Sequence, residues 1–490
     1  MRALMVQGTA SHVGKSLLCA ALCRSFARRG VDVAPFKAQN MALNSCVTPA
    51  GEEIARAQCL QARAAGVVPT ADMNPLLLKP KGDRVAELIV WGRHHADYDA
   101  AAYQREFLPR AGRIVAESLA RLGREHELLV IEGAGSPAEV NLMDRDVANM
   151  RTARWADAAV LLVGDIERGG IFASLLGTLD LLPSEDRARV AGLVVNKFRG
   201  DPDLLGDGLS FLEHRSGVPV LGVVPYRRDL DLPQEDSLGL DLLPRRGAVT
   251  VAVPRLPHMA NFTDLDPLGR EGVGVVLAER PEELAAADLV LLPGSKNTVA
   301  DLRFLCETGL AEGIRRARER GAFVLGICGG YQMLGARLSD PEGVEDAPGD
   351  TAGLGLLDVT TRFLPGKRTR PSLARVVGEG ELLAPLRGSE VAGYEIHLGR
   401  TSMEGGTRPA FEAAGEALGA ESADGRVVGT YLHGLLEDRA FRRRLVEVLY
   451  RRRGLVPPPE EEPGQDPLDR WTDLVEGSLD LGRIRALVGL

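Results

Sequence analysis

Short apolar runs alternate along the chain with longer stretches in which apolar residues recur every three or four positions. Runs at 2–7, 31–36, 128–131, 158–164, 190–195 and 220–224 predict strands. Segments 15–29, 52–65, 101–122, 171–182 and 204–214 predict helices between them. Continuously apolar strands separated by helices imply an α/β fold, a mostly parallel sheet covered on both faces. Residues 227–247 turn Pro-, Asp- and Arg-rich, with Pro233, Pro244 and Gly247, and predict a domain boundary. A second strand–helix series starts at 249–253 and continues through 273–277, 288–292 and 322–327, with later strands near 353–363, 391–397 and 427–431. Residues 339–352, rich in Asp, Pro and Gly, predict a surface loop. After a Pro/Glu-rich stretch from Pro457 to Pro467, an amphipathic segment at 468–487 either packs back on the body or extends as a tail. The expected division is therefore 1–245, 248–441 and a C-terminal segment 442–490.

Composition narrows the class. A chain of 490 residues exceeds one ordinary core. A hydrophobic content of 45% with 26% charged residues suits a soluble globular enzyme. The net charge of −9 argues against a broad nucleic-acid-binding surface, while leaving room for a local basic pocket. No apolar run reaches the roughly 18 residues of a membrane span, and the N-terminus shows no charged-then-apolar leader, so the expected address is the cytoplasm. No oligomeric state follows from the sequence. Six cysteines, at 19, 23, 46, 59, 306 and 328, are too few in so long a chain for a disulfide framework. Cys19 and Cys23 share a helix face but lack the partners of a zinc set, and are expected to be buried apolar residues.

Residues 8–16, Gly-Thr-Ala-Ser-His-Val-Gly-Lys-Ser, follow a predicted strand and open a predicted helix, the context of a phosphate-binding loop. Gly8, Thr9 and Gly14 would let backbone N–H groups curl around phosphate oxygens at a helix N-terminus. Lys15 would neutralise the β- and γ-phosphates of ATP, and Ser16 would ligate Mg2+. Five residues rather than four separate Gly8 from Gly14, so Thr9 occupies the usual first-glycine place. Acids at strand ends would complete the metal site: Glu132 is the stronger candidate, and Asp165 is either a second ligand or a substrate-side group. Asn196 and Lys197 follow another strand, where the pair could hydrogen-bond a purine base edge of the nucleotide, or Asn196 simply belong to a turn.

A second chemistry lies at 322–335. An apolar strand runs into Gly326-Ile327-Cys328-Gly329-Gly330 and then a helix, the form of a nucleophile elbow with Cys as the nucleophile. A helix N-terminus favours the thiolate, and a thiol nucleophile needs a base. His433 after the strand at 427–431 is one candidate and His397 the competitor. The loop Pro293–Thr298 is suited to offer backbone N–H groups to an oxyanion.

Together these stretches carry a resemblance. The C-terminal half resembles class I glutamine amidotransferase domains, and the N-terminal half the dethiobiotin synthetase-like P-loop group, which has the same extra loop residue. Their pairing in this order resembles the cobyric acid synthase family of cobalamin biosynthesis. The similarity is carried by Phe36–Met41 with Asn44-Ser45, Met73–Pro80, Glu132–Leu142, Gly164–Phe172 and Pro293–Thr298. The resemblance implies ATP- and glutamine-dependent amidation of the b, d, e and g carboxylates of adenosylcobyrinic acid a,c-diamide, a corrinoid, with L-glutamine as ammonia donor. It maps the nucleophile onto Cys328 and the catalytic histidine onto His433, and it favours substrate or phosphate contacts for Lys37, Gln39, Asn40 and Asn44. Lys79 and Lys81 are candidates for pairing substrate carboxylates. A sister family that makes the a,c-diamide itself, and a nucleotide-switched partner-binding protein, are the alternatives. One departure stands out: His433-Gly434-Leu435 lacks the acid often found two residues after the histidine, which leaves the third triad member unassigned.

Overall fold

The computed structural model describes residues 1–82, 84–227, 230, 232, 244, 246–460 and 464–490. Most of the predicted boundary segment 227–247, Pro233 included, lies outside the described residues.

The first domain runs through β1 (Arg2–Gly8), α1 (Lys15–Arg28), β2 (Val33–Phe36), β3 (Gln39–Met41), β4 (Ser45–Val47), β5 (Glu53–Ala55) and α2 (Arg56–Ala65). It continues with β6 (Leu76–Pro80), β7 (Val85–Val90), β8 (Arg93–Asp99), α3 (Leu108–Glu125), β9 (Leu128–Glu132), β10 (Ala159–Asp165), α4 (Ile171–Leu181), β11 (Val190–Phe198), α5 (Gly206–Ser216) and β12 (Val220–Pro225). Six strands form one parallel sheet in the order β12-β11-β10-β1-β9-β2. Apolar clusters fill both of its faces, which is why its strands read as unbroken apolar runs. On α3, Ala111, Val115, Leu119 and Leu122 fall at helical spacing and supply the buried stripe.

A second, small sheet β3-β6-β7-β8 and the hairpin β4–β5 were not expected. The strand β8 is Arg-His-His-Ala-Asp-Tyr-Asp, mostly exposed, so its edge position left no apolar alternation to read. The predicted helix at 52–65 is shorter, because β5 precedes it and α2 starts only at Arg56.

The second domain contains β13 (Thr250–Pro254), β14 (Gly274–Ala278), β15 (Leu289–Leu292), α6 (Thr298–Glu307), α7 (Leu310–Glu319), β16 (Phe323–Ile327) and α8 (Gly329–Leu334). After them come β17 (Val359–Val376), β18 (Glu390–Met403), β19 (Gly419–Glu421), β20 (Val427–Thr430) and α9 (Arg439–Arg452). Its main sheet has the order β14-β13-β15-β16-β20-β19, ending on the two-residue strand Arg408–Pro409; the first five strands are parallel. The long antiparallel pair β17–β18 extends well past the predicted 353–363 and 391–397. The expected loop 339–352 is partly a hairpin, since Arg337–Asp340 pairs with Gly349–Ala352.

The C-terminal segment does not trail away. Its helix α10 (Pro467–Ser478) lies on α1 of the first domain. Trp471 donates its indole N–H to Leu17 O at 2.7 Å, and Arg24 and Arg28 pair with Asp469 at 2.8 Å. Of the cysteines, Cys46 on β4 is disulfide-bonded to Cys59 on α2, with Cα atoms 6.6 Å apart, a single bridge where the expectation was that no disulfide framework forms. Cys19 and Cys23 are buried and free, as expected, and burial raises both thiol pKa values. Among the described residues no helix is long and apolar enough to cross a membrane.

Candidate active sites

Parallel sheets present ligands at their strand C-terminal ends, and both centres form there. In the first domain, the loop after β1 closes on α1 through Gly14, whose φ of 99° lies in the left-handed region. A Cβ at Gly14 would collide with the Asn196 amide, so close approach also demands glycine. Lys15 sits inside the loop, donating to Ala10 O at 2.9 Å and Gly135 O at 3.1 Å. Thr9 N donates to Val163 O, tying the loop to β10.

Glu132, at the end of β9, is the hub of this centre. Its Oε1 accepts from Ser16 Oγ at 2.7 Å and Lys37 Nζ at 2.8 Å, and its Oε2 from Gln61 Nε2 at 2.6 Å and Gln58 Nε2 at 3.3 Å. Burial would raise the Glu132 carboxyl, but the Lys37 ammonium and the hydrogen bonds from Ser16 and Gln61 hold it below the ordinary range. Asn40 joins the network through Gln58 Oε1. The structure thus brings together Ser16, Lys37, Asn40 and Glu132. Gln39 sits apart, accepting from Tyr103 OH.

Asp165 belongs to a different group, on the far side of β1 from Glu132. It accepts from Lys197 Nζ at 2.9 Å and Glu167 N at 2.9 Å, and Lys197 also donates to His12 O. Asn196 donates to Val13 O at 2.7 Å. Asn196 and Lys197 therefore brace the phosphate loop from behind, a role their strand-end position alone did not reveal.

In the second domain Cys328 stands between β16 and α8 with φ 53° and ψ −108°, a strained conformation held by the surrounding backbone. Cys328 N donates to Thr430 O, and its Sγ lies 3.3 Å from Ile396 O. His433, buried after β20, lines the same cavity as Cys328. The acid that sequence left unassigned is Asp264: its Oδ2 meets His433 Nδ1 at 2.7 Å, and its Oδ1 accepts from Gly434 N at 2.8 Å. Burial works against charge on His433, but Asp264 and Cys328 outweigh it and push the imidazolium up to about 10. His397 is otherwise engaged, with Nδ1 2.8 Å from Gly399 O and its ring stacked on Tyr431 at 3.7 Å.

Cys328, His433, Gly294, Ser295, Lys296 and Thr298 line one cavity, together with Lys79 from the first domain. The expected oxyanion loop 293–298 does reach the thiol, but the N–H groups of Lys296, Asn297 and Thr298 are taken by His258 O, Ser295 Oγ and Glu345. Lys79 is committed to Glu53 at 2.7 Å and Lys81 to Asp97 at 2.7 Å, so neither awaits a substrate carboxylate in this state. The domains meet directly behind the histidine. Ser45 N donates to Asn261 Oδ1, Asn261 Nδ2 lies 3.3 Å from His433 Nε2, and Tyr394 OH donates to Ser45 O.

A nucleotide-type phosphate loop in one domain and a Cys–His–Asp site in the next define a glutamine-hydrolysing amide ligase. The family models agree domain by domain: residues 4–238 match the CobQ/CobB/MinD/ParA nucleotide binding domain and residues 250–441 the CobB/CobQ-like glutamine amidotransferase domain. Full-length relatives decide the family. A cobyric acid synthase of Sorangium cellulosum is 52% identical, over 99% of this chain and 98% of its own length. One of Moorella thermoacetica is 48% identical over 100% and 98%, and one of Desulfitobacterium hafniense 47% identical over 99% and 98%. The chain belongs to the cobyric acid synthase family.

Proposed function

We propose that the chain converts the b, d, e and g carboxylates of adenosylcobyrinic acid a,c-diamide to amides, using ATP and glutamine. The observation that carries this reading is the cavity shared by Cys328, His433 and Lys79, which sets a glutaminase centre against the synthetase domain in one chain with full-length likeness to the family.

At the second centre the Cys328 thiolate attacks the glutamine amide carbon, forming a thioester as the C–N bond breaks. His433 gives its proton to the departing nitrogen, releasing ammonia, and water then cleaves the thioester to glutamate. Asp264 keeps the imidazole in the orientation and charge state that this transfer needs. At the first centre a carboxylate is a poor electrophile until phosphoryl transfer from ATP gives it a phosphate leaving group, which ammonia then displaces. Gly8, Thr9, Gly14 and Lys15 wrap the phosphates, and Lys37 is released from Glu132 to meet the transferred group. The Ser16 hydroxyl and Glu132 carboxylate, hard oxygens 2.7 Å apart, fit Mg2+, which would supply charge neutralisation on the phosphates. Asp165 acts here through Lys197 rather than on the metal.

Mass spectrometry of the corrinoid diamide incubated with enzyme, ATP, Mg2+ and glutamine tests the assignment. Four successive losses of about one dalton, one for each acid converted, are expected. Conversion of cobyrinic acid with refusal of the diamide would assign the chain to the sister reaction instead. Cys328→Ala is expected to abolish the glutamine-driven reaction while ammonium salts still support it; equal glutaminase activity in both proteins would remove the proposed ammonia source.

A further inference from the structure

Two cysteines take no part in either chemistry, yet they sit where the two meet. Cys46 on β4 is joined to Cys59 on α2, and each stands beside residues that hold a reactive group. Ser45, next to Cys46, donates its N–H to Asn261 Oδ1 at 2.9 Å, and its carbonyl accepts from Tyr394 OH at 2.9 Å. Asn261 Nδ2 lies 3.3 Å from His433 Nε2, and the Tyr394 ring stacks on His433 with centroids 5.4 Å apart. Cys59 lies between Gln58 and Gln61, whose amides donate to Glu132 Oε2. The bridge therefore fastens the segment that braces the catalytic histidine to the helix that braces the phosphate-site acid. The two ends are unequally held. α2 is anchored without the bridge: Ala57, Leu60, Ala62, Ala64 and Ala65 are buried, and Gln61 also bonds Ser16 O. β4 has three residues, and among the described residues its only strand partner is the equally short β5. A hairpin of this size is marginal alone, and closing the loop from 46 to 59 removes disorder it would otherwise sample. The side-chain bonds of Ser45, to Glu53 and Lys79, hold its Oγ rather than the backbone groups that meet Asn261 and Tyr394. Opening the bridge thus loosens Ser45 more than Gln58 or Gln61.

We propose that Cys46 and Cys59 form a thiol–disulfide exchange site: the bridged form keeps the glutaminase fast, and opening by a low-molecular-weight thiol slows glutamine hydrolysis while sparing the synthetase centre. The inference rests on the two-centre reading above. Cys59 is half-buried and Cys46 only 5% exposed, so an external thiolate reaches the Cys59 sulfur first. Its attack forms a mixed disulfide at Cys59 and expels Cys46 as a thiolate, which takes a proton from solvent. A second thiolate attacks the small-molecule sulfur of that mixed disulfide, carries it off as a low-molecular-weight disulfide and leaves Cys59, protonated in turn. Two external thiols are oxidised, and the bridge gains two electrons and two protons. Excess low-molecular-weight disulfide runs the same steps backwards. Nitrogen release then follows the thiol–disulfide poise around the protein.

The full chain is reduced with dithiothreitol or equilibrated with oxidised glutathione, desalted, and assayed for glutamate release and, separately, for ammonia-driven amidation. Alkylation with iodoacetamide and mass spectrometry count the thiols, four free in the bridged form and six after reduction. Glutaminase kcat is expected to fall about tenfold on reduction, the rate equivalent of one ordinary positioning hydrogen bond, and to return on reoxidation. Ammonia-driven amidation is expected to stay constant. Cys46→Ala/Cys59→Ala keeps Cys328 and so reports any oxidation of the nucleophile; it is expected to match reduced wild type after both treatments. Six free thiols after every treatment, a wild-type kcat that moves by less than about twofold, or equal responses in wild type and the double variant would overturn the proposal and leave the two-centre reading standing. A parallel loss of both activities on reduction makes the bridge a staple of the fold alone and overturns it too. A wild type that releases no glutamate in either state refutes the two-centre reading, and the proposal falls with it.

Discussion

Asp264→Asn isolates the charge in the Cys–His–Asp site while keeping its shape. At 2.7 Å and an effective dielectric near 20, the His433–Asp264 attraction is about 6 kcal/mol. The imidazolium, pushed from 6.5 to about 10, is stabilised by roughly 5 kcal/mol net, after Asp264 and Cys328 together have offset its burial. Asparagine also presents the wrong hydrogen bond. Because Gly434 N already donates to Asp264 Oδ1, the asparagine oxygen takes that place and its NH2 group faces His433 Nδ1. The imidazole is then locked with its proton on Nε2, unable to accept one from the thiol. The same exchange in a Ser–His–Asp site costs about 10⁴ in kcat; a thiol leans less on its base, so a fall of about 10³ is expected here. The sign of the pH effect follows from a raised histidine pKa. His433 is charged, and its pairing stabilises the fold fully, below about 6.5; that contribution is lost as pH rises through about 10. The alkaline limb of glutaminase kcat is therefore expected near 10 in wild type and to move down in the variant, where only Cys328 still opposes burial. Glutamate release across pH measures both, with ammonia-driven amidation as the control for intact folding. A kcat within about threefold of wild type, with the limb unmoved, refutes the assignment of Asp264.

Two further substitutions probe the rest of the molecule. Glu132→Gln preserves the hydrogen bonds to Ser16 and Lys37 but removes the carboxylate, and ADP release during synthesis is expected to fall at least about 100-fold while glutaminase kcat stays within about threefold. Coupled spectrophotometric assays of each half-reaction read the two effects separately. Trp471→Ala deletes a ring that is 4% exposed and bonded to Leu17 O, so calorimetry is expected to show the first domain destabilised by about 3–5 kcal/mol with the second unchanged.

What was legible in the sequence is what local physics writes into contiguous residues. The strands of both parallel sheets are buried on two faces, so β1, β9, β10 and β16 appear as apolar runs. The phosphate loop and the cysteine elbow each need a strand, a small-residue turn and a helix in succession, and both were readable for that reason. The edge strand β8 and the hairpin β4–β5 are short and polar, and their pairing is fixed by the tertiary neighbours they pack against rather than by any periodicity. Asn196 and Asp165 looked like ligand-facing residues because strand ends are where ligands sit. The Asn196 amide bonds to Val13 O of the phosphate loop, and Asp165 to Lys197 and Glu167 N, partners that sequence spacing does not reveal.

Asp264 and the domain junction were illegible for a deeper reason. Asp264 lies in a short turn at Phe262–Asp264, far upstream of both Cys328 and His433, and no spacing rule links three groups that only the folded sheet brings together. Its neighbour Asn261 occupies the left-handed region, at φ 52°, which aims its amide at both Ser45 and His433. This one turn therefore supplies the acid that charges the histidine and the contact that ties the histidine to the synthetase domain. The segment from Ser45 to Gln61 then carries that contact to Gln58 and Gln61 on Glu132. A phosphate drawing Lys37 away from Glu132 would change the forces on α2, and α2 begins at Arg56, which pairs with Glu437 four residues after His433. The two chemistries are thus connected through the turn at Asn261–Asp264, the hairpin β4–β5 and the start of α2, contacts that the predicted elements alone do not reveal.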